Sequence, residues 1–295
     1  MIVRTQLVFV RNNLNRFAFV DFMRIFLVVI TVFISTMSVA QFHTSASRSE
    51  LGILFGVTTY TGDLNPYKPY LNPNLAAGIL FRYNIHSRLS IRVNFLYGNV
   101  EGDDTDYINE PTMVERNLNF SSTIYEGAVG FEFNYLPFQL GHHKYNGTAY
   151  LLAEIGLFRM NPTTKFNGNE YELQPLGTEG QGSSLTDKKN YNLIQPVIPL
   201  GAGVRLSLGE RISLNFEIGI RKTFTDYLDD VGSNFYADAA VLAAENGPLA
   251  ADLSNRSLSQ SRYGVRGNSS TKDWYIFSGA MVTFRLGKPA NCFPQ

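Results

Sequence analysis

Hydrophobic and polar residues alternate strictly in several segments of the chain, each about ten residues long. In SLNFEIGIR, residues 213–221, the apolar Leu214, Phe216 and Ile218 alternate with polar or small residues. A period of two places successive side chains on opposite faces of a β-strand. Four further segments alternate as clearly, and three do so less regularly. They are 75–85, 89–97, 125–135 and 274–286, and then 50–59, 148–160 and 195–209.

The connections between these eight predicted strands alternate between long and short. The second and sixth strands are followed by tight turns, 86–88 and 208–211, the fourth by an intermediate one, 136–146, and the odd-numbered strands by long loops. An even number of short strands with such sorted connections is typical of outer-membrane barrels. A water-soluble barrel would turn its apolar face inward instead. We therefore predict an all-β chain, an eight-stranded antiparallel up-and-down transmembrane β-barrel similar to OmpA or OmpX, with long extracellular loops.

The N-terminal region predicts export. Arg24 precedes the apolar stretch 25–34, and small residues follow up to Ala40, as in a secretory signal peptide. The apolar stretch is shorter than the roughly 18 residues of a membrane-spanning helix. We expect a signal peptide at residues 1–40 and a mature barrel domain at residues 41–295.

Two interpretations of residues 1–22 stay open. They are either an extended n-region of the signal peptide or a segment that precedes a true translation start at Met23. Under both interpretations the mature chain is exported, so the expected location is the outer membrane of a Gram-negative bacterium.

The composition excludes several classes of function. The chain has 25 basic and 25 acidic residues and a net charge of zero, so it lacks the basic footprint of a nucleic-acid-binding protein. Charged residues make up 17%, against roughly 25% in soluble proteins. The single cysteine, Cys292, excludes an internal disulfide framework. Whether Cys292 is free or paired with another protein is left open by the sequence.

The face of the strands predicted to point inward carries charges of both signs. Eight strands enclose a space that side chains just fill, and unpaired charges there would be costly. We favour a mutually paired network that plugs the lumen over a proton path, an ion path or a gate. The predicted members are Arg82, Arg92, Arg205, Arg221 and Arg285, together with Glu126, Glu132, Glu154 and Glu217.

The sequence offers no convincing enzyme or metal site. A barrel enzyme needs a His paired with Ser or Asp at the outer rim, whereas His43, His86, His142 and His143 fall on the short-turn side or in the N-terminal arm. The acidic run around Asp226 lacks the spacing of a calcium loop. We expect no enzymatic activity, no metal, no cofactor and no small-molecule substrate.

One motif gives a family resemblance. GVTTYTGDLN (56–65), PVIPLGAGVR (196–205) and above all EIGIRKTFTDYLDDV (217–231) resemble the PorG-type outer-membrane barrels of the Bacteroidetes. The resemblance covers essentially the whole mature chain. The residues of the most specific motif, expected at the barrel rim, are Arg221, Lys222, Thr223, Phe224, Thr225, Asp226, Tyr227, Leu228, Asp229 and Asp230.

The resemblance implies a role in type IX protein secretion and gliding motility. PorG-type barrels contact a periplasmic ring made of a lipoprotein and its partner protein, and they tether that ring to the outer membrane. The implied partners are therefore outer-membrane lipid and these two ring proteins, with contacts through the short turns and the termini. The alternative is an OmpA- or OmpX-like barrel that acts in adhesion or envelope stability through its long loops, including loop 223–271.

Overall fold

The structure, a computed structural model, describes residues 48–259 and 264–287. The expected signal peptide and Cys292 lie outside these ranges. The strands are β1 (Ser49–Thr61), β2 (Asn74–His86), β3 (Leu89–Asp103), β4 (Asn119–Asn134), β5 (Gly147–Arg159), β6 (Pro162–Phe166), β7 (Asn169–Glu172), β8 (Ile194–Ser207), β9 (Ile212–Thr223) and β10 (Trp274–Arg285). The α-helices are α1 (Pro111–Arg116), α2 (Ala239–Glu245) and α3 (Pro248–Ser254).

Eight of these strands form a closed antiparallel barrel. Hydrogen-bonded neighbours follow the order β3-β2-β1-β10-β9-β8-β5-β4, and β3 pairs with β4 to close the circle. The closing pair is long, with a register that runs from Leu89↔Phe133 to Asp103↔Asn119. The predicted eight-stranded barrel is confirmed, including the three segments with irregular alternation, which form β1, β5 and β8.

The two remaining strands form a hairpin within the loop after β5. β6 pairs with β7 around Asn167 and Gly168, both with positive φ, which suits a two-residue turn. β6 also pairs with the top of β4 through Ser121 and Ser122, so this hairpin continues the barrel wall beyond β5. The Asn-Gly pair was the sequence signal for this hairpin, which the eight-strand prediction does not include.

The outer surface of the barrel is a band of exposed apolar side chains. Phe55 is 63% exposed, Ile155 67% and Leu75 84%, while the alternate residues of the same strands point inward. Water would penalise such a contiguous apolar band, whereas lipid accepts it. A closed sheet also leaves no unpaired strand edge in hydrocarbon. In the described part of the chain, no helix is both long enough and apolar enough to cross a membrane.

The lumen is only partly polar. An apolar cluster fills one side of it, formed by inward residues of β1, β2, β3 and β10: Leu54, Ala76, Leu80, Leu96, Phe277 and Met281. Room for the Phe277 ring comes from Gly56 and Gly279, which face each other across β1 and β10. A Cβ atom at either glycine would come within 3.0 Å of this ring. The inward-facing glycines therefore admit large side chains.

The four long loops pack into one structure at the same end of the barrel. We call it the cap and define it as the described residues of 62–73, 104–118, 160–193 and 224–273. Each loop contributes to one buried apolar cluster, through Leu64, Leu118, Leu173 and Leu253 respectively. The last loop contains α2 and α3, as the alanine-rich sequence at 236–257 suggests, and Asp238 caps α2 by accepting from Ala240 and Val241 N–H.

The opposite end is closed by the turn between β4 and β5. Phe138 and Leu140 of this turn are buried beneath the lumen. The Arg205 guanidinium lies 4.1 Å from the centre of the Phe138 ring. The turn is fixed by Phe138 N–H, which donates to Ser87 O, and by Gly141 N–H, which donates to Ser207 Oγ. Folded segments thus cover both ends of the barrel.

Candidate functional site

The lower half of the lumen, near the short turns, contains a cluster of buried ion pairs. Arg82 Nη2 lies 2.7 Å from Glu132 Oε2, and its Nη1 lies 3.3 Å from Glu50 Oε2. Glu50 also pairs with Arg205. These four residues come from β1, β2, β4 and β8, so the cluster connects strands that face each other across the lumen.

Arg92 lies at the centre of the charge network. Its Nη1 is 2.7 Å from Glu217 Oε2, its Nε is 3.0 Å from Glu154 Oε1, and its Nη1 is 3.5 Å from Glu132 Oε2. Around it, Tyr150 OH donates to Glu217 at 2.9 Å, and the Asn94 amide donates to both oxygens of Glu154 at 2.8 Å. One guanidinium therefore contacts three carboxylates contributed by β4, β5 and β9, of which Glu132 and Glu217 also pair with other arginines.

Arg221 and Glu126 form the upper part of the network, below the cap. Arg221 Nε lies 3.6 Å from Glu126 Oε2, and Nη2 lies 4.0 Å from Glu217 Oε1. Glu126 also accepts from Tyr275 OH at 2.6 Å. Arg221 Nη1 donates to Gly219 O at 2.6 Å.

The structure brings together eight of the nine residues predicted for the lumen network. The exception is Arg285, which lies half-buried at the short-turn end, where Nη2 donates to Leu140 O at 2.9 Å. Arg285 is the last residue of β10 and lies opposite Glu50 in the register, but its guanidinium donates to the carbonyl of Leu140 in the turn between β4 and β5. The network also contains Glu50, which was not among the predicted members. Glu50 shares the inward face of β1 with Gly52 and Leu54, and this alternation could have identified it, although β1 alternates less regularly than other strands.

The family motif runs from the lumen into the centre of the cap. Arg221, Thr223, Thr225, Asp226, Leu228, Asp229 and Asp230 are buried, while Lys222 and Phe224 lie on the outer face of the barrel. Asp229 Oδ2 accepts from Tyr60 OH at 2.5 Å. Asp230, with φ of 66°, accepts from Thr178 and, at 2.8 Å, from Tyr191 OH. The motif therefore joins β1, the third loop and the fourth loop.

Two buried arginines connect the four loops of the cap. Arg116 pairs with Asp104 at 2.6 Å and donates to Asp63 O at 2.8 Å and Arg266 O at 2.7 Å. Arg266 pairs with Glu179 at 2.5 Å and donates to Asp230 O at 3.0 Å. The Arg266–Glu179 ion pair thus joins the fourth loop to the third, whereas Arg116 pairs within the second loop and reaches the first and fourth loops through backbone oxygens.

The acidic residues of the cap serve as hydrogen-bond acceptors in this arrangement. Within the described ranges, no group of three or more His, Cys, Asp and Glu side chains is placed to hold a metal ion. Asp226 pairs with Lys272 at 3.2 Å, and Asp273 Oδ2 accepts from Leu228 N–H at 3.0 Å. The geometry of these carboxylates is that of loop fixation.

Burial raises the pKa of several carboxyl groups in the cap. It raises the pKa of Asp226 and Asp230 to about 6. For Asp229 and Asp273, burial and the neighbouring carboxylates raise the pKa well above the usual range. A carboxyl whose pKa is higher in the folded cap than in the opened loop holds its proton longer in the folded state.

The cap is therefore expected to open more easily as the pH rises from about 4 through about 6, because the opened loops release protons that the folded cap retains. Cleavage of the last loop by proteinase K, normalised to an unfolded substrate, should be slower at pH 5 than at pH 7. The Asp230→Asn variant keeps a residue that tolerates positive φ and should show a weaker pH dependence. Equal cleavage at both pH values would contradict this expectation.

Fold and site together define a class: a closed eight-stranded barrel of the outer-membrane type, with a salt-bridged lumen and a structured cap. The chain belongs to the family described as "Domain of unknown function (DUF6089)", whose model matches residues 23–295. No curated protein sequence matches it.

Several solved outer-membrane proteins are similar to this chain. Neisserial surface protein A, NspA, is 10% identical, with 82% of this chain and 99% of that chain covered and a TM-score of 0.41. Ail, the attachment invasion locus protein of Yersinia pestis, is 10% identical, with 82% and 100% covered and a TM-score of 0.38. OprG from Pseudomonas aeruginosa is 8% identical, with 82% and 99% covered and a TM-score of 0.36.

Proposed function

We propose that this protein is a non-enzymatic anchor of the outer membrane, which tethers the periplasmic ring of a type IX-like secretion system by protein–protein contact. The observation that carries the proposal is the blocked lumen. Because Arg92 and its three glutamates occupy the centre of the barrel, the surfaces left for function are its two ends and its lipid-facing wall. The choice of a secretion ring as partner rests on the resemblance of the motif at 217–231 to PorG-type barrels.

The short-turn end of the barrel carries an excess of positive charge, which suits a docking surface. Since short turns face the periplasm in bacterial barrels, this end is the one that a periplasmic ring would contact. Its exposed turn residues include Arg88, Lys144 and Arg211, against one exposed acid, Glu210. Such an excess of basic side chains favours a partner with an acidic surface.

The second candidate is adhesion or envelope stabilisation through the cap. The observation that favours it is the exposure of apolar side chains on the last loop, where Phe235 is 72% exposed, Val265 69% and Leu258 65%. A folded cap that presents such residues to the medium suits contact with another surface. In this case the working surface would be at the opposite end of the molecule.

The test is a pull-down of a tagged copy from its native outer membrane in mild detergent, followed by mass spectrometry. We expect a periplasmic lipoprotein and its ring partner to be recovered, and the triple variant Arg88→Glu, Lys144→Glu, Arg211→Glu to lose both. Recovery of the barrel alone, with normal export in a deletion strain, would contradict the secretion role and favour the second candidate.

The matched control carries the same charge reversals at the cap end. Lys68→Glu, Lys165→Glu and Arg256→Glu change the same number of charges on the opposite side of the membrane. We expect this control to recover the ring proteins as well as the parent chain does. If both triple variants lose the partners equally, the loss reflects overall charge, and docking through the short turns is wrong.

A further inference from the structure

A cleft of about 400 Å³ opens between the third and fourth loops of the cap. Two stacked tyrosines form part of its wall, Tyr191 and Tyr227, with ring centres 4.6 Å apart and planes within 7° of parallel. Phe224 and Asp226 of the family motif also line it, together with Lys188 and Lys272. Tyr191 and Tyr227 also pack against the apolar cluster of the cap, so the wall of the cleft is part of the folded cap.

The cleft begins where the lipid-facing wall ends. Phe224 directly follows the last residue of β9, and it is 52% exposed on the outward side. Immediately below, Lys222 and Trp274 are paired across β9 and β10, with Lys222 Nζ 4.0 Å from the centre of the indole ring. Tryptophan is typical of the boundary between hydrocarbon and headgroups. The cleft therefore lies at headgroup level.

Several lysines lie at or near the cleft. Of the eight lysines of the chain, Lys188 and Lys272 line the cleft, and Lys189 and Lys222 are within two residues of a lining residue in the sequence. Among the described residues, one of these four has a carboxylate partner, the pair Lys272–Asp226 at 3.2 Å. Asp229 and Asp230 are directed into the cap, where Asp229 accepts from Tyr60 OH and Asp230 approaches Arg266. The cleft thus has a net positive charge in the outer leaflet plane.

We propose that this cleft binds the phosphorylated headgroup of a lipid in the outer leaflet. The lysine ammonium groups would pair with phosphate oxygens, while the acyl chains would lie along the apolar wall below Phe224 and Trp274. The proposal relies on the outer-membrane orientation given above but not on the secretion ring, which would contact the other end. A protein that fails the pull-down could still bind the lipid, and the reverse also holds.

Trp274 is the one tryptophan of the chain and lies beside Lys222, so its fluorescence reports on this site. Purified protein in a neutral detergent would be titrated with diphosphoryl lipid A in the same detergent, and separately with inorganic phosphate. We expect saturable quenching or a shift of emission with the lipid, and none with phosphate at equal concentration. Native mass spectrometry should show one retained lipid.

The decisive variant is Lys188→Gln, Lys222→Gln, Lys272→Gln, which should weaken lipid binding by about 100-fold, at about fivefold per lysine. The matched control, Lys68→Gln, Lys144→Gln, Lys165→Gln, removes the same charge elsewhere and should bind as the parent does. Because Lys272 pairs with Asp226 in the cap, an unchanged heat-induced gel shift and an unchanged protease resistance of the last loop would confirm that barrel and cap stay folded. An absence of lipid binding, equal loss in both variants, or phosphate binding as tight as lipid binding would overturn the proposal.

Discussion

Replacing Arg92 by methionine is expected to lower the free energy of unfolding of the barrel by about 3–5 kcal/mol. This is the usual cost of removing one partner of a buried ion pair. The change leaves Glu217, Glu154 and Glu132 without their common partner in a space from which water is largely excluded. Methionine retains most of the side-chain volume, so the loss reports on charge more than on packing. Urea unfolding in lipid vesicles, followed by Trp274 fluorescence and the gel shift, measures it.

Two comparison variants make this result specific. Arg285→Met removes a half-buried arginine whose described contact is a single backbone oxygen, Leu140 O, and should cost about 1 kcal/mol. Adding Glu217→Gln to the Arg92 variant should recover part of the lost stability, because it removes one of the uncompensated charges. If Arg92→Met unfolds at the same urea concentration as the parent, the lumen charges do not stabilise this barrel.

Replacing Arg266 by methionine is expected to open the cap while the barrel stays folded. Arg266 neutralises Glu179 at 2.5 Å, approaches Asp230 to 3.8 Å and donates to Ser254 O at 3.1 Å. Without it, two buried carboxylates face each other across the third and fourth loops, so closure of the cap should lose about 3–5 kcal/mol. Native-state proteolysis of the last loop measures this loss.

Arg256→Met is the matched control within the same cap. Arg256 is half-buried, and its side chain contacts Thr164 Oγ1 at 3.1 Å and the Phe166 ring at 5.5 Å. We expect a loss of about 1 kcal/mol or less, as for an ordinary hydrogen bond. Both variants should keep the gel shift of the folded barrel. Arg266→Met with parent-like protease resistance would show that the cap does not depend on this ion pair.

The barrel wall could be predicted from the sequence because lipid imposes a simple rule. In an alternating segment such as 212–221, each side chain must face either lipid or lumen. The apolar Phe216 is therefore assigned to the lipid side and the charged Glu217 to the lumen. The same rule brought the inward arginines and glutamates together as candidates. It could not pair them, because pairing depends on the stagger of strands around the barrel: Arg92 and Glu217 are 125 residues apart in sequence.

The cap could not be predicted in this way, since loops have no fixed period. Asp229 and Asp230 look like a solvated acidic run, and their burial becomes visible only when Tyr60, Thr178 and Arg266 arrive from other segments. Arg285 was misplaced for a related reason. Alternation gives the side of the sheet that a residue faces, but not whether a long side chain at the end of a strand contacts the lumen or the adjoining turn.

The measurement that tests the central claim most directly is single-channel recording of the purified protein in planar lipid bilayers. The claim is that a salt-bridged lumen closes this barrel, so that the protein acts through its ends. We expect a stable baseline without conductance steps, both for the parent and for the Arg266→Met variant, whose cap is open but whose lumen is intact. Regular conductance steps in the parent protein would show a continuous water path past Arg92 and would contradict the account.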